Sequence, residues 1–299
     1  TSIPDRLLRF YLNRHVEKMF AGSTEAPAPR AREVVRPEPS DSAVEAAAQA
    51  LSRAARPLVV LGSQALALAS HAPRIAEAVA QAGIPAYLSG MGRGLLGREH
   101  PLQMRHQRRQ ALREADCVVL AGVPCDFRLD YGRHVRRSST LIAANRGARD
   151  ARMNRRPDIA AIGDAGLFLE RLAERLGDTG AKWAQWTGQL RARDAAREAQ
   201  IDTEGAREGE FVNPVALLRA IDRAAGEHAV LVADGGDFVA TASYIVRPRA
   251  PLSWLDPGAF GTLGVGAGFA LGAALCRPNA EVWILYGDGA CGYSLAEFD

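Results

Sequence analysis

No run in this chain approaches the roughly 20 apolar residues that a membrane-spanning helix requires. Its first residues lack a signal-peptide pattern. Cysteine is scarce. Cys117, Cys125, Cys276 and Cys291 are the only ones, and the absence of a Cys-x-x-Cys pair argues against a zinc ribbon. Unpatterned cysteines suit a reducing compartment without defining one. Neither sign of charge dominates: 37 basic and 34 acidic residues leave a net +3, which argues against a dedicated nucleic-acid surface. His-Glu-x-x-His does not occur, and His15, His71, His100, His134 and His228 stand without metal-ligand spacing. The glycine-rich segment 256–272 does not contain a strict Gly-x-Gly-x-x-Gly either, because Gly264-Val265-Gly266 leads to Phe269 at the last position. This counts against a flavin or nicotinamide oxidoreductase. Gly287 and Gly292 have the spacing of a P-loop opening, but Tyr293 sits where the phosphate-binding lysine belongs.

What is there has the balance of a globular chain. The 299 residues fit one large or two ordinary domains, and 47% hydrophobic with 24% charged residues is ordinary for a soluble fold. Leu7, Leu8, Tyr11, Leu12, His15, Val16 and Met19 fall at helical spacing, so residues 1–20 read as an amphipathic opening helix. Pro27, Pro29, Pro37 and Pro39 make residues 23–40 a linker, and residues 1–41 form the opening helix and linker together. Residues 42–53 are an alanine-rich helix. Apolar runs then alternate with helical stretches. Leu58-Val59-Val60-Leu61-Gly62, Ile84-Pro85-Ala86-Tyr87-Leu88, Cys117-Val118-Val119-Leu120-Ala121-Gly122, Leu141-Ile142-Ala143-Ala144 and Ile159-Ala160-Ala161-Ile162-Gly163-Asp164 read as five strands. Residues 72–82, 107–114 and 165–176 read as helices. Continuous apolar strands between helices mean a parallel sheet with helices on both faces. This is an α/β middle domain over residues 42–177. Residues 178–210 are polar, rich in Arg and Ala, and read as a connecting segment with a helix between loops.

The strand–helix pattern restarts in residues 211–299. Asn213 suits an N-cap and Pro214 the first helical turn. Ala229-Val230-Leu231-Val232-Ala233-Asp234 is a strand, a helix follows from Phe238, and Val282-Trp283-Ile284-Leu285-Tyr286 is another strand. Asp234-Gly235-Gly236-Asp237 lies at a strand end, where parallel sheets place ligands; it also reads as a simple Gly-Gly turn. Gly287-Asp288-Gly289 by itself is ordinary turn punctuation. Between a buried strand and the helix-like Ser294-Leu295-Ala296-Glu297-Phe298, it predicts a phosphate site. Glycines admit close backbone approach, a helix start offers free N–H donors, and the Asp288 carboxylate suits a divalent cation that holds phosphates.

Gly261-Thr262-Leu263-Gly264-Val265-Gly266 followed by Gly287-Asp288-Gly289-Ala290 resembles the cofactor domain of thiamine-diphosphate enzymes of the acetolactate synthase and 2-hydroxyacyl-CoA lyase group. The resemblance covers nearly the whole chain and weakens at residues 23–40 and 177–209. It implies an α/β thiamine-diphosphate-binding domain, cut short, over residues 211–299, behind a nucleotide-binding-like middle domain. It implies cofactor contacts from Gly236, Asp237, Gly261, Thr262, Leu263, Gly264, Gly287, Asp288, Gly289 and Ala290, with Asp288 as a magnesium ligand. Leu263 stands where the family commonly has a methionine that props the cofactor into its bent form. A leucine of similar volume keeps that prop, or is merely a core residue at a helix start. The family's second side-chain metal ligand, an asparagine, and its catalytic glutamate are expected outside this chain. No catalytic residue is therefore assigned, and Glu297 is read as structural or solvent-facing.

In relatives the middle domain holds FAD, ADP or coenzyme A. Arg93, Arg128 and Arg133 follow strands and suit phosphates through forked donors; solvated arginines beside structural glycines are the plain alternative. Arg105, His106, Arg108 and Arg109 read as a charged helix face. The resemblance implies part of a thiamine-diphosphate-dependent carbon–carbon lyase that cleaves 2-hydroxyacyl-CoA to formyl-CoA and a shortened aldehyde, inactive as this piece alone. The alternatives are an acetolactate synthase-like carboligase acting on pyruvate and a non-catalytic adenine-nucleotide-binding module. The resemblance also implies a small-molecule substrate, no nucleic-acid partner, a homo-oligomer, and an endoplasmic reticulum membrane location through an anchor outside this chain.

Overall fold

The computed structural model describes residues 3–21, 35–177, 179 and 181–298. It divides into two compact units, Thr1–Val35 and Arg36–Asp299. In the first, α1 (Ile3–Phe20) places Asp5 in its first turn and Lys18 in its last, the charge order a helix dipole favours. None of its residues is buried. Of the expected linker, Pro27 and Pro29 lie outside the described residues, whereas Pro37 and Pro39 lie in a described segment without regular structure.

The second unit begins with α2 (Asp41–Arg53), β1 (Pro57–Leu61), α3 (Ala72–Ala82), β2 (Ala86–Leu88), β3 (Gln103–Met104) and α4 (Arg108–Glu114). β4 (Cys117–Ala121), β5 (Thr140–Asn145), α5 (Ala148–Ala151), β6 (Ile159–Ile162) and α6 (Ala165–Leu176) follow. The six strands form one parallel sheet in the order β3-β2-β1-β4-β5-β6. Sequence runs predict five strands; β3 is the sixth, and two residues are too few to show a pattern. α2, α3 and α6 cover one face, burying Val44, Leu51, Ile75, Phe168 and Leu172 against Val59, Val119 and Ile142. α4 covers the other, with Ala111 and Leu112 against Leu58, Val118 and Leu120. The strand order reverses between β1 and β4, where doubly wound sheets usually open a crevice. There the segments after β1 and β4 approach closely: a side-chain carbon on Gly62 would lie 2.7 Å from the carbonyl oxygen of Gly122.

α7 (Ala184–Gly205) and α8 (Pro214–Ala224) lead to β7 (Val230–Asp234), α9 (Gly236–Ile245), β8 (Trp254–Leu255), α10 (Gly266–Cys276), β9 (Val282–Tyr286) and α11 (Asp288–Gly292). Asn213 caps α8 as expected, accepting from the N–H of Val215 at 2.9 Å and of Ala216 at 3.3 Å. β8-β7-β9 form a second parallel sheet. α8 and α9 pack on one face through Leu218, Ala242 and Ile245, and α10 on the other through Ala270. α10 is apolar on every side and leaves Leu271 and Leu275 exposed. α9 starts at Gly236, two residues before the expected Phe238, because Gly235 turns the chain at φ +98° directly after β7. No helix among the described residues is long and apolar enough to cross a membrane.

α7 belongs to both cores. Trp186 and Leu190 insert beside the first sheet, and Ile201 beside the second. Asp194 accepts from the N–H of Arg105 at 2.7 Å and of His106 at 3.0 Å. Glu198 meets His106 Nε2 at 2.8 Å, and Arg219 of α8 donates to it. Burial by itself raises the Glu198 carboxyl, but hydrogen bonds from His106 and Arg219 and the charge of Arg105 outweigh it and hold the group well below the ordinary carboxylate range. A carboxyl depressed on folding stabilises the native state above its unfolded pKa of about 4.3. That contribution is lost as pH falls toward the folded value. The urea midpoint should therefore drop between about pH 5 and pH 3, and Glu198→Gln should flatten that drop while lowering the midpoint at neutral pH. An unchanged slope in the variant would contradict the assignment.

Candidate cofactor site

The loops that follow β7, β8 and β9 leave one end of the second sheet, as parallel strands require. They converge on Gly235. A side-chain carbon there would lie 3.1 Å from Ala290 Cβ, 4.0 Å from the backbone nitrogen of Gly287 and 4.0 Å from Leu263 Cδ2. Asp234, the last residue of β7, is fully buried. Its carboxylate accepts from the N–H of Gly264 at 3.0 Å and of Gly266 at 2.7 Å. Ser294 donates its hydroxyl to the Gly264 carbonyl at 2.9 Å. Asp256, after β8, accepts from the Trp254 indole at 2.8 Å and the Gly258 N–H at 2.8 Å, fixing the start of the glycine-rich loop.

The sequence-predicted residues are thus distributed over three strand ends. Gly236 and Asp237 form the first turn of α9. Gly261, Thr262, Leu263 and Gly264 lie between β8 and α10. Gly287 is the N-cap of α11, and Asp288, Gly289 and Ala290 lie within it. Leu263, Gly287 and Ala290 are brought together at Gly235, while Asp237 and Thr262 are exposed and make no side-chain hydrogen bond among the described residues. One expectation is corrected. Gly-Asp-Gly does not precede a helix at Ser294; it opens α11, and residues 295–298 form a separate 3-10 turn. An acidic residue in the first turn is favourable there.

The geometry fits a diphosphate. Side-chain carbons built on Gly236, Gly261, Gly287 and Gly289 would meet no protein atom within 4 Å. Protein packing therefore does not demand glycine at these four positions, although Gly261 is also required by its φ of +60°, and the space beside their backbone is open to a ligand. Asp288 is exposed, and no cluster of three His, Cys, Asp or Glu side chains exists among the described residues. A single carboxylate fits a magnesium ion whose other ligands are phosphate oxygens and water, and does not make a stand-alone metal site.

A cavity of about 470 Å³ lies over these loops, lined by Gly235, Gly236, Asp256, Gly261 and Leu263 on one side. Ser89 and Gly90 after β2, Arg108 at the start of α4, and Phe127 and Arg128 after β4 line it on the other. The carboxyl ends of both parallel sheets therefore face one space. Arg93, Arg108, Phe127, Arg128 and Ser243 also line an adjoining cavity of about 420 Å³ that extends to Arg105, Arg109 and Arg247. Arg93, Arg105 and Arg108 make no carboxylate ion pair among the described residues. Their guanidinium groups donate to the carbonyls of Ser243 at 2.7 Å, Tyr244 at 2.9 Å and Arg128 at 2.8 Å. Burial pushes Arg93 down to about 10, with Asp256 partly opposing it. Burial and the neighbouring Arg247 push Arg105 down to about 10. Arg93 also lies over the Trp254 ring, 5.7 Å from its centre.

These positions correct the reading of a charged helix face. Arg105 and His106 precede α4, and α7 covers them. Only Arg109 of that group is exposed. Of the three arginines proposed for phosphate, Arg93 and Arg128 line both cavities, although Arg128 is paired with Asp126 at 2.6 Å. Arg133 is 74% exposed, pairs with Asp130 at 3.6 Å and lines neither. Sequence reasoning placed Asp234 and Gly235 at a ligand-bearing strand end but gave no role to them, to Asp256 or to Ser294. An aspartate closing an apolar strand before glycine was the available signal for Asp234; the others act across the fold.

Residues 44–172 match the central domain of thiamine pyrophosphate enzymes, and residues 234–299 match their C-terminal TPP binding domain. The chain belongs to the thiamine pyrophosphate enzymes. It is 47% identical over 300 residues to 2-hydroxyacyl-CoA lyase 2 of Homo sapiens, covering 98% of this chain and 47% of that protein. The protein of the same name from Caenorhabditis elegans is 43% identical over 310 residues, covering 98% of this chain and 47% of its own. A probable acetolactate synthase of Mycobacterium bovis is 34% identical over 266 residues, covering 88% of this chain and 47% of its own. The chain spans about half the length of the curated relatives it matches.

Gly235 combines φ +98° with the close approach of Ala290. Gly235→Ala should cost about 1–3 kcal/mol of stability through backbone strain, read as a lower urea midpoint. A midpoint equal to the wild type would show that the three loops do not depend on this turn.

Proposed function

We propose that the protein containing this chain is a thiamine-diphosphate-dependent carbon–carbon lyase. It cleaves a 2-hydroxyacyl-CoA into formyl-CoA and an aldehyde one carbon shorter, the chemistry of fatty-acid α-oxidation. The observation that carries this reading is the paired cavity. It runs from the glycine loops at Gly235 and Leu263 to Arg93, Arg105 and Arg108, partly buried cations that make no carboxylate ion pair among the described residues. Burying such cations is costly unless an anion joins them. A nucleotide diphosphate supplies one, and coenzyme A carries it on the same molecule as the reacting carbons. Pyruvate, the substrate of an acetolactate-forming enzyme, brings one carboxylate and no diphosphate to span several arginines.

When bound, thiamine diphosphate supplies the electron sink for carbon–carbon scission. The residues of this chain bind and orient. The backbone at Gly236, Gly261, Gly287 and Gly289 surrounds the diphosphate, Leu263 props the cofactor, and Asp288 holds the magnesium. The arginine end takes the nucleotide of coenzyme A, with FAD and ADP as its rivals. Assembly as a homo-oligomer and placement at the endoplasmic reticulum membrane, through a segment outside this chain, belong to the same proposal and rest on the family resemblance.

The test uses the full-length protein. With thiamine diphosphate and magnesium it should convert a 2-hydroxyacyl-CoA to formyl-CoA and the shortened aldehyde, identified by mass spectrometry. Acetolactate from pyruvate without thioester cleavage would favour the carboligase reading. Nucleotide binding with no response to thiamine diphosphate would favour a non-catalytic module. Arg93→Met and Arg108→Met should each raise KM for the thioester about tenfold, the loss of roughly one charge-assisted hydrogen bond, while leaving thiamine-diphosphate affinity intact. Unchanged KM in both variants would remove the nucleotide from this cavity.

A further inference from the structure

We propose that Asp234 and Ser294 form a two-sided clip on Gly264, which positions Leu263 and couples it to the loop carrying Asp288. The proposal rests on the cofactor reading above. Both side chains are buried, Asp234 at 0% and Ser294 at 2% exposure, and they hold the two peptides that flank the Gly264 α-carbon. The Asp234 carboxylate takes the Gly264 N–H at 3.0 Å and the Gly266 N–H at 2.7 Å. No lysine or arginine pairs with it among the described residues, so backbone donors alone satisfy it. The Ser294 hydroxyl gives to the Gly264 carbonyl at 2.9 Å. Gly264 is at φ +87°, and a side-chain carbon on it would lie 2.5 Å from Tyr293 Cβ. Only glycine fits so close to the segment after α11.

Leu263 has no comparable anchor of its own. It is 49% exposed, and of its exposed neighbours Gly261 and Thr262 the threonine makes no side-chain hydrogen bond among the described residues. Its place beside Gly235 therefore follows from the grip on Gly264. Ser294 in turn is held by α11, its N–H bonding the Cys291 carbonyl at 2.9 Å. A shift of the segment beginning at Asp288 is thus passed to Leu263 through one hydroxyl. Aspartate suits the other jaw because two N–H donors need a group that only accepts. Oδ2 takes both of the shorter bonds, and Oδ1 lies 3.2 Å from the Gly264 nitrogen, so asparagine would set an NH₂ donor against the Gly264 N–H in place of an acceptor.

The experiment measures thiamine-diphosphate affinity of the full-length protein by calorimetry at saturating magnesium, with the melting temperature of each cofactor-free variant alongside. Asp234→Asn and Ser294→Ala should each raise Kd about tenfold, as expected for one lost buried hydrogen bond. Ser294→Thr, which keeps the hydroxyl, should restore binding. Leu263→Ala should weaken binding similarly, and combining it with Ser294→Ala should add little, because both act through the same side chain. Wild-type binding with unaltered Kd in Asp234→Asn and Ser294→Ala would overturn the clip. So would melting temperatures that fall while Kd holds, or full additivity with Leu263→Ala. Failure of the wild type itself to bind thiamine diphosphate would overturn the cofactor reading and the clip's role with it.

Discussion

The site depends on one helix that belongs to two hydrophobic cores. α7 buries Trp186 and Leu190 beside the first sheet and Ile201 beside the second. Each such side chain is worth about 1.5–3 kcal/mol when fully buried, whereas an exposed ion pair is worth about 0–1 kcal/mol. Apolar burial therefore sets the strength of this bridge. Asp194 and Glu198 set its register, through the N–H groups of Arg105 and His106 and the His106 ring. With α7 fixed at both ends, the carboxyl ends of two separate parallel sheets look at each other. A single sheet would offer its ligand half a wall.

Net charge conceals what faces that space. A balance of +3 over 299 residues says little about partners, yet Arg93, Arg105, Arg108, Arg128 and Arg247 gather around one cavity, where the carboxylates are Asp130 and, over the cofactor loops, Asp256. Carbonyl acceptors satisfy part of the hydrogen bonding of the first three. They do not neutralise the charge, and burial pushes Arg93 and Arg105 down to about 10. The cost of assembling these cations is a reason to look for the anion that relieves it.

Much of the architecture was legible because a strand covered on both faces reads as an unbroken apolar run. Pro57–Leu61, Cys117–Ala121 and Val230–Asp234 are buried at every position. β3 and β8 were illegible, since two residues carry no period. The glycine motifs stood out as motifs, but their meeting at Gly235 could not be read from spacing. It depends on the parallel pairing of β7 with both β8 and β9. Arg105 and His106 were misread because the helix that covers them begins at Ala184, far along the chain. Ser294 looked like the start of a helix; its role lies in a carbonyl 30 residues away.

Two walls of separate origin also divide the work between them. The glycine loops proposed for the cofactor all follow β7, β8 and β9, whereas Ser89, Gly90, Phe127 and Arg128 follow β2 and β4 of another sheet. Substitution in that second group alters no strand of the sheet that carries the first. A lineage can thus inherit its reactivity intact while redrawing the molecules it accepts, one loop at a time.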